Sequence, residues 1–132
     1  MTVELQMLTW AVLIGLLHIA LQAVSAAAQN GVGYQLSARD ENRVAAGLAG
    51  RLKRALANFM ETFPLFAVAV LIGAVTETAT ETTALGAQIY VISRAAFIPL
   101  YAFAVPLLRS AAWTASIVGL VLAALPLISA LM

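Results

Sequence analysis

The amino-acid sequence predicts an all-α integral membrane protein built as a bundle of four membrane-spanning helices, and three observations predict it. Of the 132 residues, 63% are apolar and 10% charged, with a mean hydropathy of +0.97; a soluble domain is roughly half apolar and a quarter charged. The apolar residues fall into four runs, each close to the ~20 residues that a helix needs to cross a bilayer. The charged residues lie between these runs or at their ends, Glu61 and Arg94 excepted. One four-helix membrane domain therefore takes up residues 1–132 and leaves no room for a separate soluble one.

The first span is predicted over residues 5–29, broken by Thr9, His18, Gln22 and Ser25. It is longer than the apolar core of a signal peptide and lacks a basic start, so it reads as retained. His18 and Gln22, four apart, share a face, either as packing polars between helices or as pocket lining. Gln29 to Asn42 reads as a loop, with Gly31 and Gly33 as breakers and Arg39, Asp40, Glu41 and Arg43 as a solvated cluster and helix cap. The second span is predicted over 42–75, its first turns outside the hydrocarbon. Thr76 to Thr83 is an acidic turn. The third span is predicted over 84–105, closed by Pro106, and the fourth over 111–131, after a tight connection at Leu107–Ser110. Gly15, Gly73 and Gly119 suit close helix approach. Trp10, Tyr34, Tyr90 and Trp113 read as interface anchors or packing.

The formal net charge of +1 gives no basis for nucleic-acid binding. With no cysteine and one histidine, the chain offers no disulfide, no thiolate nucleophile and no metal cluster. The position of the charge says more than its total. Arg39, Arg43, Arg51, Lys53, Arg54 and Arg109 belong to the first and third connections or the adjoining helix ends, and the termini and the second connection carry no Lys or Arg. The positive-inside rule then puts the first and third connections in the cytoplasm and both termini outside.

The chain is organised around Arg51 to Pro64, RLKRALANFMETFP. Arg51, Arg54, Asn58 and Glu61 follow at spacings of 3, 4 and 3, which confines them to one side of a helix. The apolar run after Glu61 is too short to cross a bilayer alone, so the crossing includes Asn58 and Glu61. Ionisable groups within a span mark a functional site by default, although locking Glu61 to an arginine for packing alone is the plain alternative. Pro64 frees a backbone carbonyl one turn earlier and suggests a local bend. In the third span, Arg94 lies ~16 Å deep, about eleven residues in at 1.5 Å each. An arginine there costs ~2.5–3.5 kcal/mol, and Glu61 reads as the one acid within a span able to offset it. Arg94, Phe97 and Tyr101 share a helical side, so two polar faces are expected to meet. Arg51, Arg54, Arg94 and Arg109 against one Glu61 leave excess positive charge, which suits a carboxylate or phosphate ligand with a cationic group for Glu61.

These residues resemble a known family, the membrane-associated proteins in eicosanoid and glutathione metabolism (MAPEG), in the manner of bacterial-type microsomal glutathione transferases. The resemblance covers essentially the whole chain. It is carried by Arg54-x3-Asn58-x2-Glu61 followed by Pro64, by Arg94 with Tyr101 seven residues later, and by Arg109-Ser110. It implies a homotrimer in a bacterial inner membrane, with clefts between subunits that face the cytoplasm. The resemblance further implies that glutathione is held as co-substrate by Arg51, Arg54, Asn58, Glu61, Arg94 and Tyr101. Arg109, from the adjacent subunit, would stabilise the thiolate for attack on a hydrophobic electrophile, in a transferase or peroxidase. The chain departs from the family at Phe97, where a Tyr or His is expected, at Thr62 and Trp113, where a Tyr is expected, and at Asn30, where an Arg is expected. For Tyr101, ligand contact and a bond to backbone freed by Pro99 stand level.

Two other functions suit a four-span chain of this length. A small proton-coupled multidrug transporter would use Glu61, although such transporters keep their acid in the first span. A catalytically degenerate scaffold would keep the fold and, with Phe97 and Thr62, lack the chemistry.

Overall fold

Four apolar runs give four long helices. The structure, a computed structural model, describes residues 1–129 and 131. Among them the regular structure is all helical: α1 (Val3–Asn30), α2 (Val32–Leu36), α3 (Gly47–Val75), α4 (Glu81–Ala102) and α5 (Pro106–Ser129). The four long helices are each long and apolar enough to cross a membrane, and they alternate in direction along the chain.

Each helix start is set by local chemistry that hydropathy does not report. α3 begins at Gly47, not near residue 42, because Arg39 and Asn42 adopt positive φ and the backbone stays irregular up to Ala46. α2 occupies part of the stretch expected as loop. α4 begins at Glu81, three residues earlier than expected, because Thr80 and Thr83 form a reciprocal capping box. Pro106 does not close the third span; it opens α5 at the first helical position, where its missing N–H is not needed. Arg109 and Ser110 therefore sit on the first turn of a helix. The expected end of the fourth span crosses residue 130, which lies outside the described residues.

α4 and α5 pack most extensively. A Cβ on Gly119 would lie 2.5 Å from the Tyr90 backbone nitrogen, and one on Gly86 would lie 2.7 Å from the Gly119 carbonyl oxygen, so only hydrogen fits at either position. A Cβ on Gly15 would meet the Phe59 ring less closely, at 3.1 Å, and one on Gly73 would meet only the Thr78 hydroxyl, at 3.8 Å. The core holds Phe59, Phe66 and Tyr90, all fully buried, with the Phe66 and Tyr90 rings stacked at 4.1 Å. Outward-facing Leu13, Leu16, Leu65, Val68 and Val121 leave an apolar exterior suited to lipid. At the end formed by the N-terminus and the α3–α4 turn, Thr83 Oγ1 donates to the buried Glu4 carboxylate at 2.5 Å. Glu4 lies on the second residue of α1, at the end of that helix.

Candidate functional site

The site is built outward from Arg94, which is wholly buried between α3 and α4. Its Nη1 donates to Asn58 Oδ1 at 2.6 Å and its Nη2 to Thr62 Oγ1 at 2.8 Å. The Thr62 hydroxyl also bonds the Tyr90 hydroxyl at 3.0 Å. The guanidinium lies 5.4 Å from the Phe97 ring centre and 5.7 Å from that of Tyr90. Hydrogen bonds to a charged group contribute ~1.5–3 kcal/mol each, comparable with the cost of placing the arginine in the span.

Glu61 does not compensate Arg94 by direct pairing, a correction to the expected contact, and acts on it only across space. No ion pair joins them among the described residues, and Glu61 is exposed with no hydrogen bond. The reason is angular. Thr62 follows Glu61 by 100° around the helix, so burying Thr62 turns Glu61 away from the core. Neutral dipoles take the two terminal nitrogens, the buried Nε has no hydrogen-bond partner among the described residues, and the charge is left in place.

Asn58 links this buried network to a cleft of about 470 Å³ that it lines with Phe97, Tyr101, Arg109, Ser110 and Trp113. Arg109 lies over the Tyr101 ring, 4.8 Å from its centre, and has no carboxylate partner among the described residues. The Tyr101 hydroxyl accepts from Arg54 Nε at 3.3 Å, so it is tied to a second arginine and not to backbone freed by Pro99. Arg51 is half-buried at the edge, its Nε donating to the Ala102 carbonyl at 2.8 Å. The fold thus brings together Arg54, Asn58, Arg94, Tyr101 and Arg109. It leaves Arg51 beside them and turns Glu61 outward.

The buried network contains two residues that sequence reasoning did not assign to it. Thr62 reads in the sequence as a lost tyrosine, yet its hydroxyl holds both Arg94 and Tyr90. Tyr90 reads as packing, yet its hydroxyl completes the network; its place one helical turn before Arg94 was the available signal. Trp113, read as an anchor, lines the cleft. His18 is buried against Phe59 at 5.0 Å, whereas Gln22 lies at a separate pocket, so the shared face divides between two surroundings.

The sequence model of the MAPEG family matches residues 7–129, nearly the whole chain. The chain belongs to the MAPEG family. With four helices able to span a bilayer, it is an integral membrane protein of that family. No curated protein and no solved structure gives a match. Within this MAPEG chain the cleft collects side chains from α3, α4 and α5, with the buried arginine as the bond between the first two.

Proposed function

We propose that this MAPEG protein is a membrane-embedded, glutathione-dependent transferase or peroxidase acting on hydrophobic electrophiles, and that it works as a homotrimer. The observation that carries the reading is Arg109: a guanidinium held against the Tyr101 ring at the cleft wall, with no anion beside it among the described residues. A cation so placed favours a thiolate over a thiol, and the thiolate is the nucleophile. In conjugation, the glutathione sulfur would form a bond to the electrophilic carbon while the leaving group departs with its electron pair. Arg54, Tyr101 and Asn58 supply donors and acceptors for the peptide, with Arg51 at its edge. Arg94 acts by holding Asn58. Glu61, turned outward on a single chain, suits the α-amine of a glutathione lying between subunits. The basic residues of the first and third connections support a cytoplasmic cleft with both termini outside.

Arg109→Ala is the test. Conjugation of a hydrophobic electrophile should fall far more than glutathione binding measured by calorimetry; unchanged turnover would refute the role. Phe97 favours one other reading, because it lines the cleft with a ring that offers no hydroxyl. A scaffold without the chemistry would give no heat with millimolar glutathione.

A further inference from the structure

We propose that the connection between α1 and α3 forms a binding site for a phosphate-bearing anion, the headgroup of an anionic phospholipid. A pocket of about 240 Å³ opens between the last turns of α1, the loop and the head of α3, and shares no residue with the cleft. Its lining holds three cations, Arg39, Arg43 and Lys53, and no carboxylate. One cation is compensated: Arg43 Nη2 pairs with Glu41 at 2.7 Å, and its Nη1 donates to the Asn30 carbonyl at 3.0 Å. The other two are not. Among the described residues the Arg39 guanidinium donates only to the Gln35 carbonyl, at 3.1 and 3.3 Å, and Lys53 has no hydrogen bond or ion pair.

The loop that frames this pocket is built, although it is neither helix nor strand. The Tyr34 hydroxyl accepts from the Arg43 backbone N–H at 2.8 Å, and the Gln29 amide bridges the Val44 carbonyl and the Ala46 N–H at 3.2 and 3.1 Å. Within the loop Arg39, whose backbone N–H donates to Ser37 Oγ at 3.1 Å, adopts φ 59°, a left-handed conformation that costs ~1–3 kcal/mol outside glycine. Gln22, two turns deeper on α1 than Asn30, adds a neutral polar floor. Basic pockets at the membrane interface between helices bind phospholipid headgroups. A lipid source is favoured over free phosphate by the rim, where α2 turns Tyr34 and Gln35 to the pocket and exposes Val32 and Leu36, and where Val44, between the lining residues Arg43 and Ala45, is also exposed. Acyl chains can lie against that rim while the phosphate meets Arg39 and Lys53.

The test is native mass spectrometry of the full chain in detergent, titrated separately with phosphatidylglycerol and phosphatidylcholine. The wild type should prefer phosphatidylglycerol roughly thirtyfold, about fivefold for each of the two uncompensated cations. Arg39→Gln with Lys53→Gln should bring the ratio to parity, Lys53→Gln alone should lower it about fivefold, and Arg39→Lys with Lys53→Arg should keep it. Equal uptake of the two lipids by the wild type, or a preference that survives the double glutamine variant, overturns the proposal. Phosphorus NMR showing inorganic phosphate bound without lipid preference assigns the site to the free ion and overturns the lipid source. Loss of glutathione binding in the double variant places the pocket in the thiol site and overturns it as well.

Discussion

Arg94 meets Asn58 across the α3–α4 interface, Nη1 donating to Oδ1 at 2.6 Å, and of the two only Asn58 reaches the cleft. The arginine is therefore a positioning residue, one shell behind the surface a ligand would touch. Because neutral amide and hydroxyl oxygens take its two terminal nitrogens, and no ion pair meets it among the described residues, its positive charge is not cancelled where the cleft begins. Arg94→Lys should weaken thiol binding while leaving the helices folded, since one ammonium cannot span both Asn58 and Thr62 in the guanidinium's fork geometry. Calorimetry beside circular dichroism of the variant checks this.

Thr62 is the hinge of the buried network, and its loss should exceed that of Tyr90. Thr62→Val strands Arg94 Nη2 and should cost ~1.5–3 kcal/mol, whereas Tyr90→Phe removes one neutral hydrogen bond and should cost ~0.5–1.5 kcal/mol. Reversible unfolding of both variants in mixed micelles measures the order, and equal losses would show that Arg94 has found another acceptor.

Glu61 separates a ligand role from a packing role. It makes no ion pair with Arg94, so Glu61→Gln should leave the unfolding midpoint of the isolated chain unchanged. If Glu61 meets the α-amine of glutathione, the same variant should bind the tripeptide more weakly. A large loss of stability with intact binding would restore the packing role.

Tyr101 carries two arginines by different parts of one side chain. Tyr101→Phe removes the acceptor of Arg54 Nε and keeps the ring beneath Arg109, so thiol binding should weaken with little change in the rate of conjugation at saturation. Tyr101→Leu removes the ring too, with a cation–π contact of ~0.5–1 kcal/mol, and should lower that rate as well. Steady-state kinetics in detergent distinguish the pair.

The glycines divide by what lies opposite them. Gly119→Ala should destabilise the fold by ~1–3 kcal/mol, because its new methyl group meets the Tyr90 backbone. Gly73→Ala, with nothing closer than the Thr78 hydroxyl at 3.8 Å, should instead stabilise α3 by ~0.4–1 kcal/mol. Thermal unfolding of the two variants gives opposite signs if the helix contacts are as described.

The four spans were legible because a bilayer crossing demands a long unbroken apolar run. The helix starts were not, because Thr80 with Thr83, and Pro106, act by capping over one turn, below the resolution of hydropathy. That the polar faces of the second and third spans meet could be read from Arg94, which must find a partner once buried. Which partner could not: charge arithmetic pointed to Glu61, while the helix angle delivered Asn58 and Thr62. The loop before α3 was illegible for another reason. Its bonds come from Gln29 and Tyr34, at the end of α1 and in α2, so no local pattern within it announces its shape.

Glycine against glycine locks the backbones of α4 and α5 into a single jaw. Phe97, Tyr101, Arg109 and Trp113 all ride on that jaw, while α3 touches it far more sparsely. The Tyr101–Arg109 pair, one residue from each half of that jaw, therefore owes its spacing to the seam between the two helices and not to α3.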